Sequence, residues 1–134
     1  MDIQYKHKRN DLNSDYDRKD LKWYFKGVPR GITYAVNVPS KLEVVEQIDN
    51  EQRKATIEVG FSTCSRVDHY NKKIGRELAT SRMQKMEFEV SSISFRDNES
   101  YFTLDNLDKN NYDIRQINFK LNKNSNRIHL LSVQ

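Results

Sequence analysis

Alternation of apolar and polar residues predicts β-strands through most of the chain after Gly31. Ile57, Val59 and Phe61 alternate with polar or small residues, which is typical of a strand with one buried face. The same criterion, together with runs of β-forming residues, predicts strands at 32–38, 42–48, 54–61, 86–90 with a continuation to 95, 101–104, 114–121 and 127–133. Short polar turns separate these segments, so the simplest arrangement is a meander.

The periodicity changes after Cys64, where apolar residues recur at three- and four-residue spacing. This spacing predicts an amphipathic helix with one apolar stripe against the sheet. The stripe consists of Val67, Tyr70, Ile74 and Leu78. Ser65, with Asp68 three residues later, predicts the N-cap of this helix. Gly75 lowers helix stability by about 1 kcal/mol relative to alanine. We therefore expect either close packing on the sheet or space for a partner at this position.

The predicted element order is β-β-β-α-β-β-β-β, an α+β fold with a mostly antiparallel sheet and one central basic helix. We assign residues 31–134 to a single domain and residues 1–30 to a charged N-terminal segment. Two interpretations of that segment remain open. It forms a short helix that opens at Ser14, or its first thirteen residues are an unstructured basic arm. In the second case the aromatic run 23–25 is a packing anchor or an edge strand.

Length and composition narrow the class of protein. A chain of 134 residues is long enough for one domain with its own core, although only 36% of the residues are hydrophobic. The single cysteine excludes an internal disulfide framework and suits a reducing compartment. No apolar run has the length of a membrane span or of a signal-peptide core. We expect a soluble, cytoplasmic protein without a membrane partner.

Positive charge is concentrated in two parts of the chain. Residues 1–30 carry eight basic and five acidic residues, a net charge of +3, and residues 66–85 carry six and two, a net charge of +4. The remainder is slightly acidic, because the whole chain has a net charge of only +4. Two local basic patches favour a compact anionic partner over a long duplex.

Catalytic and metal-binding motifs are absent from the sequence. The three histidines have no metal-ligand spacing to one another or to Cys64, and there is no Walker loop, dinucleotide fingerprint or nucleophile elbow. Cys64 precedes the predicted helix, where a thiol pKa is lowered, with His69 as a candidate base. An inert buried thiol at the end of an apolar strand is the favoured interpretation. The sequence therefore predicts a protein that is not an enzyme and needs no cofactor or metal.

The junction between the third predicted strand and the helix is the best candidate for anion binding. Helix N-terminal amides and nearby hydroxyls, including that of Ser65, favour a phosphate group. Basic residues follow on the exposed arc of the helix, and Arg82 lies at the apolar margin. The candidate ligand-binding residues are Phe61, Ser65, Tyr70, Lys72, Lys73, Arg76 and Arg82. A solvated basic face is the alternative for each cation taken singly.

The stretch from Gly60 to Arg82 resembles a pattern found in small phage and prophage proteins. In that pattern an apolar strand ends near a cysteine, and an aspartate, an aromatic residue, a lysine, a Gly-Arg pair, an alanine and a final arginine follow. The matching residues are Asp68, Tyr70, Lys72, Gly75, Arg76, Ala79 and Arg82. The resemblance covers about a sixth of the chain.

Among phage proteins of this size, the chain is most similar in class to the first anti-Thoeris family, whose members sequester cyclic ADP-ribose signals without cleaving them. The resemblance implies an oligomeric counter-defence sponge, most simply a homodimer, in the cytoplasm of a bacterial host. Phosphate groups would bind to Lys72, Arg76 and Arg82, and the base would stack on an aromatic residue, Phe61 or Tyr70.

Two other functions remain open at this point. A phage nucleic-acid-binding protein would use its basic N-terminal arm, with Lys6, Lys8 and Arg9, beside the helix. An inhibitor of a host protein would dock through the aromatic run 23–25, because exposed aromatic residues mark interaction sites.

Overall fold

A computed structural model describes residues 2–9, 31–41, 43–44, 53–64, 71–108, 114–122, 124–125 and 127–134. Within these ranges, seven strands form one antiparallel sheet in sequence order. The strands are β1 (Asp2–Arg9), β2 (Gly31–Val38), β3 (Lys54–Cys64), β4 (Gln84–Arg96), β5 (Glu99–Asn106), β6 (Gln116–Asn122) and β7 (Ile128–Val133). One helix, α1 (Lys72–Ser81), connects β3 to β4. The predicted fold class and element order are confirmed.

The core lies on the inner face of the strongly curved sheet. Alternate residues of every strand from β2 to β7 point into it, which is the period-two pattern of a sheet with one buried face. The largest fully buried side chains in it are Phe88, Phe119, Ile114, Ile117 and Ile128. The two aromatic rings therefore supply much of the bulk of a core that has few hydrophobic residues.

Strand β1 corrects the interpretation of residues 1–13 as an unstructured arm. Residues 2–9 pair with β2 along their whole length, with Tyr5 opposite Ala35 and His7 opposite Thr33. A polar inner face hides this strand from pattern analysis, because the positions that share a face with the core residues of β2 are Asp2, Gln4, Lys6 and Lys8. Residues 10–30, including Ser14 and the aromatic run 23–25, lie outside the described residues.

The predicted strand over 42–48 is wrong at its start, because residues 41, 43 and 44 are helical. A capping box explains the helical turn. The Ser40 amide donates to Glu43 Oε2 at 2.8 Å, the Glu43 amide donates to Ser40 Oγ at 3.3 Å, and the Val44 amide donates to the Ser40 carbonyl at 3.0 Å. Val44 is buried and joins the core from this turn. Residues 45–52 lie outside the described residues.

The first and last strands meet where the sheet nearly closes on itself. Seven strands in antiparallel succession bring β1 and β7 side by side in parallel orientation, and no backbone ladder joins them in the described sheet. The Gln4 side chain bridges this seam instead. Its Nε2 donates to the Ile128 carbonyl at 2.7 Å, and its Oε1 accepts from the Leu130 amide at 2.8 Å. One amide side chain thus takes the place of a short stretch of ladder.

An ion pair supports the same seam at its edge. Arg127 Nη2 lies 3.2 Å from Asp2 Oδ1, and both side chains are well exposed, so the pair contributes little stability. Burial raises the pKa of Asp2, but hydrogen bonds from Arg127 and Gln4 outweigh that effect and hold the pKa below its usual value.

Replacing Gln4 with methionine should lower the free energy of unfolding by about 1–3 kcal/mol, because a part-buried carbonyl and amide of β7 lose their partner. Urea unfolding measures the loss, and hydrogen exchange at the Leu130 amide should accelerate. Gln84, exposed on β4, offers the matched control in Gln84→Met. Equal stability of the two variants would mean that the seam does not depend on Gln4.

Two glycines bring α1 very close to the outer face of the sheet. A Cβ atom on Gly60 of β3 would lie 2.1 Å from the Ala79 carbonyl oxygen, and one on Gly75 of α1 would lie 2.6 Å from Thr33 Oγ1. Both distances are far below van der Waals contact. Close packing on the sheet is therefore the reason that the helix tolerates Gly75 in its interior, one of the two outcomes that we expected.

The helix begins later than predicted, and the residues that it buries against the sheet are not the predicted ones. Asn71 is the N-cap, so the helix begins after it. The extended backbone of Asn71 (φ −119°, ψ 111°) excludes one continuous helix from Ser65 to Leu78. Ile74 and Leu78 are 52% and 40% exposed, whereas Ala79 is fully buried. Small residues face the sheet because only they allow this close approach. Residues 65–70 lie outside the described residues.

Candidate functional site

The outer face of β1 lies beside α1. Tyr5 and His7 point outward from β1, on the side of the sheet that carries the helix, because they share a face with Ala35 and Thr33 of β2. Tyr5 Oη is 2.9 Å from Thr80 Oγ1, so the strand and the helix are joined directly. We call this surface, made of Tyr5, His7, Lys72, Arg76 and Thr80, the β1–α1 face.

Hydrogen bonding at Thr80 fixes the role of each hydroxyl. Thr80 Oγ1 donates its single proton to the Arg76 carbonyl at 2.8 Å. Tyr5 must therefore be the donor in its hydrogen bond with Thr80. The guanidinium carbon of Arg76 lies 5.9 Å from the centre of the Tyr5 ring, within the range of a cation–π contact. Tyr5 thus contacts α1 through both its hydroxyl and its ring.

His7 occupies the junction between strand and helix. Its Nδ1 lies 2.9 Å from Oγ1 of the buried Thr33, which fixes the orientation of the ring. Burial lowers the pKa of His7 below its usual value, and the positive charges of Lys72 and Arg76 lower it further. Two cations of α1 therefore act on the same imidazole.

A buried hydroxyl fixes the middle of the helix to the sheet. Ser62 on β3 is 3% exposed, and its Oγ donates to the Gly75 carbonyl at 2.8 Å. Thr33 on β2 is 1% exposed beside the same glycine. The height of α1 above the sheet, and with it the position of the Lys72 and Arg76 backbone, is set by these contacts.

The helix N-terminus offers less to an anion than the sequence indicates. Asn71 Oδ1 accepts from the amides of Lys73 at 3.0 Å and Ile74 at 3.3 Å, which satisfies two of the donors that we expected to be free. Anion binding at α1 therefore depends on its side chains.

The structure brings together only part of the predicted set. Arg76 contacts the Tyr5 ring of β1, and Lys72, four residues earlier, lies on the same flank of α1. Lys73 is exposed and points about 200° around the helix axis from Gly75, which faces the sheet, at 100° per residue. Arg82 is the C-cap residue, about 15 Å along the axis from Lys72 at 1.5 Å per residue.

Phe61, the predicted aromatic residue that the structure describes, does not join this group. Phe61 points to the inner face of the sheet and packs against the core, with its ring centre 6.5 Å from that of Tyr34. The sheet therefore separates Phe61 from α1. Ser65 and Tyr70 lie outside the described residues, as do His69 and the Cys64 side chain.

The two cations on the β1–α1 face have no carboxylate partner in the described part of the chain. The ion pairs found there are Lys120 with Glu99, at 3.1 Å, and Arg127 with Asp2. Lys72 and Arg76 are exposed and form none. No described carboxylate therefore neutralises these two positive charges, which lie on the same face as the imidazole of His7.

A separate polar cleft of about 750 Å³ opens at the far end of the seam. It is lined by Lys8, Asp105, Arg115, Gln116, Ser132, Val133 and Gln134. Asp105 Oδ1 accepts from Gln116 Nε2 at 3.0 Å, so its one carboxylate is partly engaged. Within the described ranges, no three His, Cys, Asp or Glu side chains are grouped so that they would hold a metal ion.

Comparison of the chain with protein-family models, with curated proteins and with solved structures gives no match. The described helix is too short to cross a bilayer.

Proposed function

We propose that this protein binds a small phosphorylated ligand on the β1–α1 face and sequesters it without chemical conversion. The observation that carries the proposal is the placement of two exposed cations, Lys72 and Arg76, on the flank of α1 beside β1, without a carboxylate partner among the described residues. Like charges held together in the free protein repel one another, and a bound anion relieves that repulsion.

The chemistry of the two cations suits a phosphate group. Arginine presents a planar fork of donors that matches two phosphate oxygens, and lysine adds a point charge from the same side. The cation–π contact with Tyr5 supports the orientation of Arg76. A preorganised guanidinium loses less conformational freedom when a ligand binds, which favours affinity.

The nucleotide part of the proposal comes from the resemblance to phage proteins. It extends the ligand to a cyclic nucleotide signal of the cyclic ADP-ribose type, and the biological role to counter-defence by a homodimeric sponge in the host cytoplasm. Because Phe61 packs against the core on the inner face of the sheet, stacking of the base would fall to Tyr70, which stays a prediction.

The alternatives have no comparable support. Residues 2–9 form a paired strand, and Lys6 and Lys8 lie on the opposite face of β1 from His7, so they do not extend the cationic surface of α1. The aromatic run 23–25, on which host-protein docking depends, lies outside the described residues.

Isothermal titration against a panel of cyclic nucleotides and cyclic ADP-ribose isomers tests the proposal. We expect at least one member to bind with a Kd of about 1 µM or below. Mass spectrometry of the ligand recovered after denaturing the complex should return it unchanged. A panel without a binder would refute nucleotide sequestration, and a converted ligand would indicate an enzyme.

A further inference from the structure

We infer that the polar cleft at the far end of the seam is a second binding site, and that its ligand is a small sugar phosphate. The cleft is separate from the β1–α1 face, because Lys8, which lines it, points to the opposite side of β1 from His7. The inference therefore does not depend on the proposed function.

The cleft lies where the ends of β1, β5 and β7 meet the start of β6. Backbone hydrogen bonds hold these elements together, since the Gln134 carbonyl accepts from the amides of Arg115 at 2.6 Å and Gln116 at 3.1 Å. The volume of about 750 Å³ is in the range of sites that bind small molecules. Both the space and a fixed framework are thus present.

A hydrogen-bond network orients the polar groups of the cleft. Thr103 Oγ1 donates to Asn118 Oδ1 at 2.8 Å, and Asn118 Nδ2 donates to Ser132 Oγ at 2.9 Å. Ser132 is an acceptor in this network, and no described group accepts its own proton, which is left for a ligand. Gln116 Nε2 donates to Asp105 Oδ1 at 3.0 Å. Groups oriented in advance lose less conformational freedom when a ligand binds.

The charged side chains of the cleft favour two different parts of a ligand. Lys8 and Arg115 are exposed, and neither forms an ion pair with a described residue. Together they suit a phosphate group, because arginine presents a planar fork of donors and lysine a point charge. Gln116 occupies one oxygen of Asp105. The other oxygen repels an anion but accepts from a hydroxyl group.

These requirements together select a ligand with a phosphate at one end and uncharged hydroxyl donors at the other. A plain phosphate would leave Asp105 without a donor and close to a like charge. A zwitterion such as an amino acid would bring an ammonium group into a cleft that has two basic side chains and one acidic one. A sugar phosphate satisfies both parts, since its hydroxyl groups donate to Asp105 while its phosphate contacts the two cations.

Ribose 5-phosphate is the probe, with inorganic phosphate and ribose as its two halves. In NMR titrations of the labelled protein, ribose 5-phosphate should shift the backbone amide signals of Arg115, Gln116 and Ser132 with a Kd of about 1 mM or below. Inorganic phosphate and ribose should each bind at least about tenfold more weakly, because each meets only half of the site.

Two variants test the halves of the site separately. Arg115→Gln should weaken binding of both ribose 5-phosphate and inorganic phosphate about tenfold or more, because a charged donor is lost. Asp105→Asn should weaken ribose 5-phosphate but strengthen inorganic phosphate, because it removes a negative charge and keeps an oxygen for Gln116. Arg96→Gln, exposed on β4, is the matched control and should change neither affinity by more than about twofold.

The outcomes distinguish this site from the proposed one, and titration of the native protein decides between them even where a variant fails to fold. Shifts confined to the signals of α1 would overturn the inference and leave the β1–α1 face as the only phosphate site. Equal affinities for ribose 5-phosphate and inorganic phosphate would overturn the assignment of a sugar. Shifts confined to the cleft would support the inference and count against phosphate binding by α1.

Discussion

Replacing Gly60 with alanine should lower the free energy of unfolding by about 3 kcal/mol, at the upper end of the range for overpacked interiors. The new methyl group would lie 2.1 Å from the Ala79 carbonyl oxygen, 2.8 Å from the Met83 amide nitrogen and 3.0 Å from the Arg82 carbonyl carbon. All three are backbone atoms, so no side-chain rotation relieves the overlap. The helix has to move away from β3 as a unit.

Thermal and urea unfolding measure this loss. Thr56→Ala is the matched control, because Thr56 lies on the same outer face of β3 but is exposed. We expect the control to change stability by less than about 1 kcal/mol. An alanine at position 60 that left the unfolding midpoint unchanged would mean that α1 does not pack against the sheet at the distance described.

The strands could be predicted where one face is buried and the other is not. In β6, for example, Ile117, Phe119 and Leu121 are buried, and the residues between them are not. Because only one face of the strand is buried, apolar and polar residues alternate in its sequence, and this alternation can be recognised without the structure. The same reasoning failed for β1, because its inward-facing residues are polar, and one of them, Gln4, bridges the seam to β7 instead of filling a core. Hydrophobic patterning cannot detect a strand of this kind.

The two helical errors have local causes. At 41–44, the prediction followed the β-forming run that begins at Leu42 and did not consider the Ser40–Glu43 capping box, whose hydrogen bonds prevail in the structure. In α1, the assumption that the largest apolar residues face the sheet misplaced the buried side. The sheet beneath the helix is lined by Gly60, Ser62 and Thr33, so contact with Gly75 and Ala79 is closer than any contact through leucine.

Two of the five residues of the β1–α1 face could be identified from the sequence, since Lys72 and Arg76 belong to a visible run of basic residues. Tyr5 and His7 could not, because they lie more than sixty residues earlier and reach α1 only through the pairing of β1 with β2. The alternation of Ile3, Tyr5 and His7 was the available signal for a strand. This alternation could not indicate a binding surface, because the sequence does not show that α1 lies beside β1.

Packing and electrostatics are coupled at this site. Gly60 and Gly75 allow α1 to approach the sheet, and that approach brings the positive charges of Lys72 and Arg76 close to the half-buried imidazole of His7. A helix held further from the sheet by larger residues would carry the same charges in a more aqueous surrounding, where their effect on His7 would be weaker. Close packing thus creates the electrostatic strain that an anion would relieve.

Replacing Lys72 and Arg76 together with glutamine should weaken binding of the nucleotide ligand at least about 100-fold. A hydrogen bond to a charged group contributes roughly 1.5–3 kcal/mol, and a change of 1.4 kcal/mol is tenfold in affinity. The double variant should fold normally, because both side chains are exposed and form no ion pair with a described residue. Removing the two cations should also raise the pKa of His7 toward its ordinary value, since both act to lower it.

The second readout needs no ligand, so NMR titration of His7 tests the electrostatics of the site on the free protein. Lys85→Gln with Arg96→Gln is the matched control, because it removes the same charge from two exposed residues of β4. The control should leave the pKa of His7 unchanged and weaken binding only slightly, through the loss of long-range attraction. If both double variants lost affinity equally, the ligand would be responding to the net charge of the protein. Binding would then have no specific connection with the β1–α1 face.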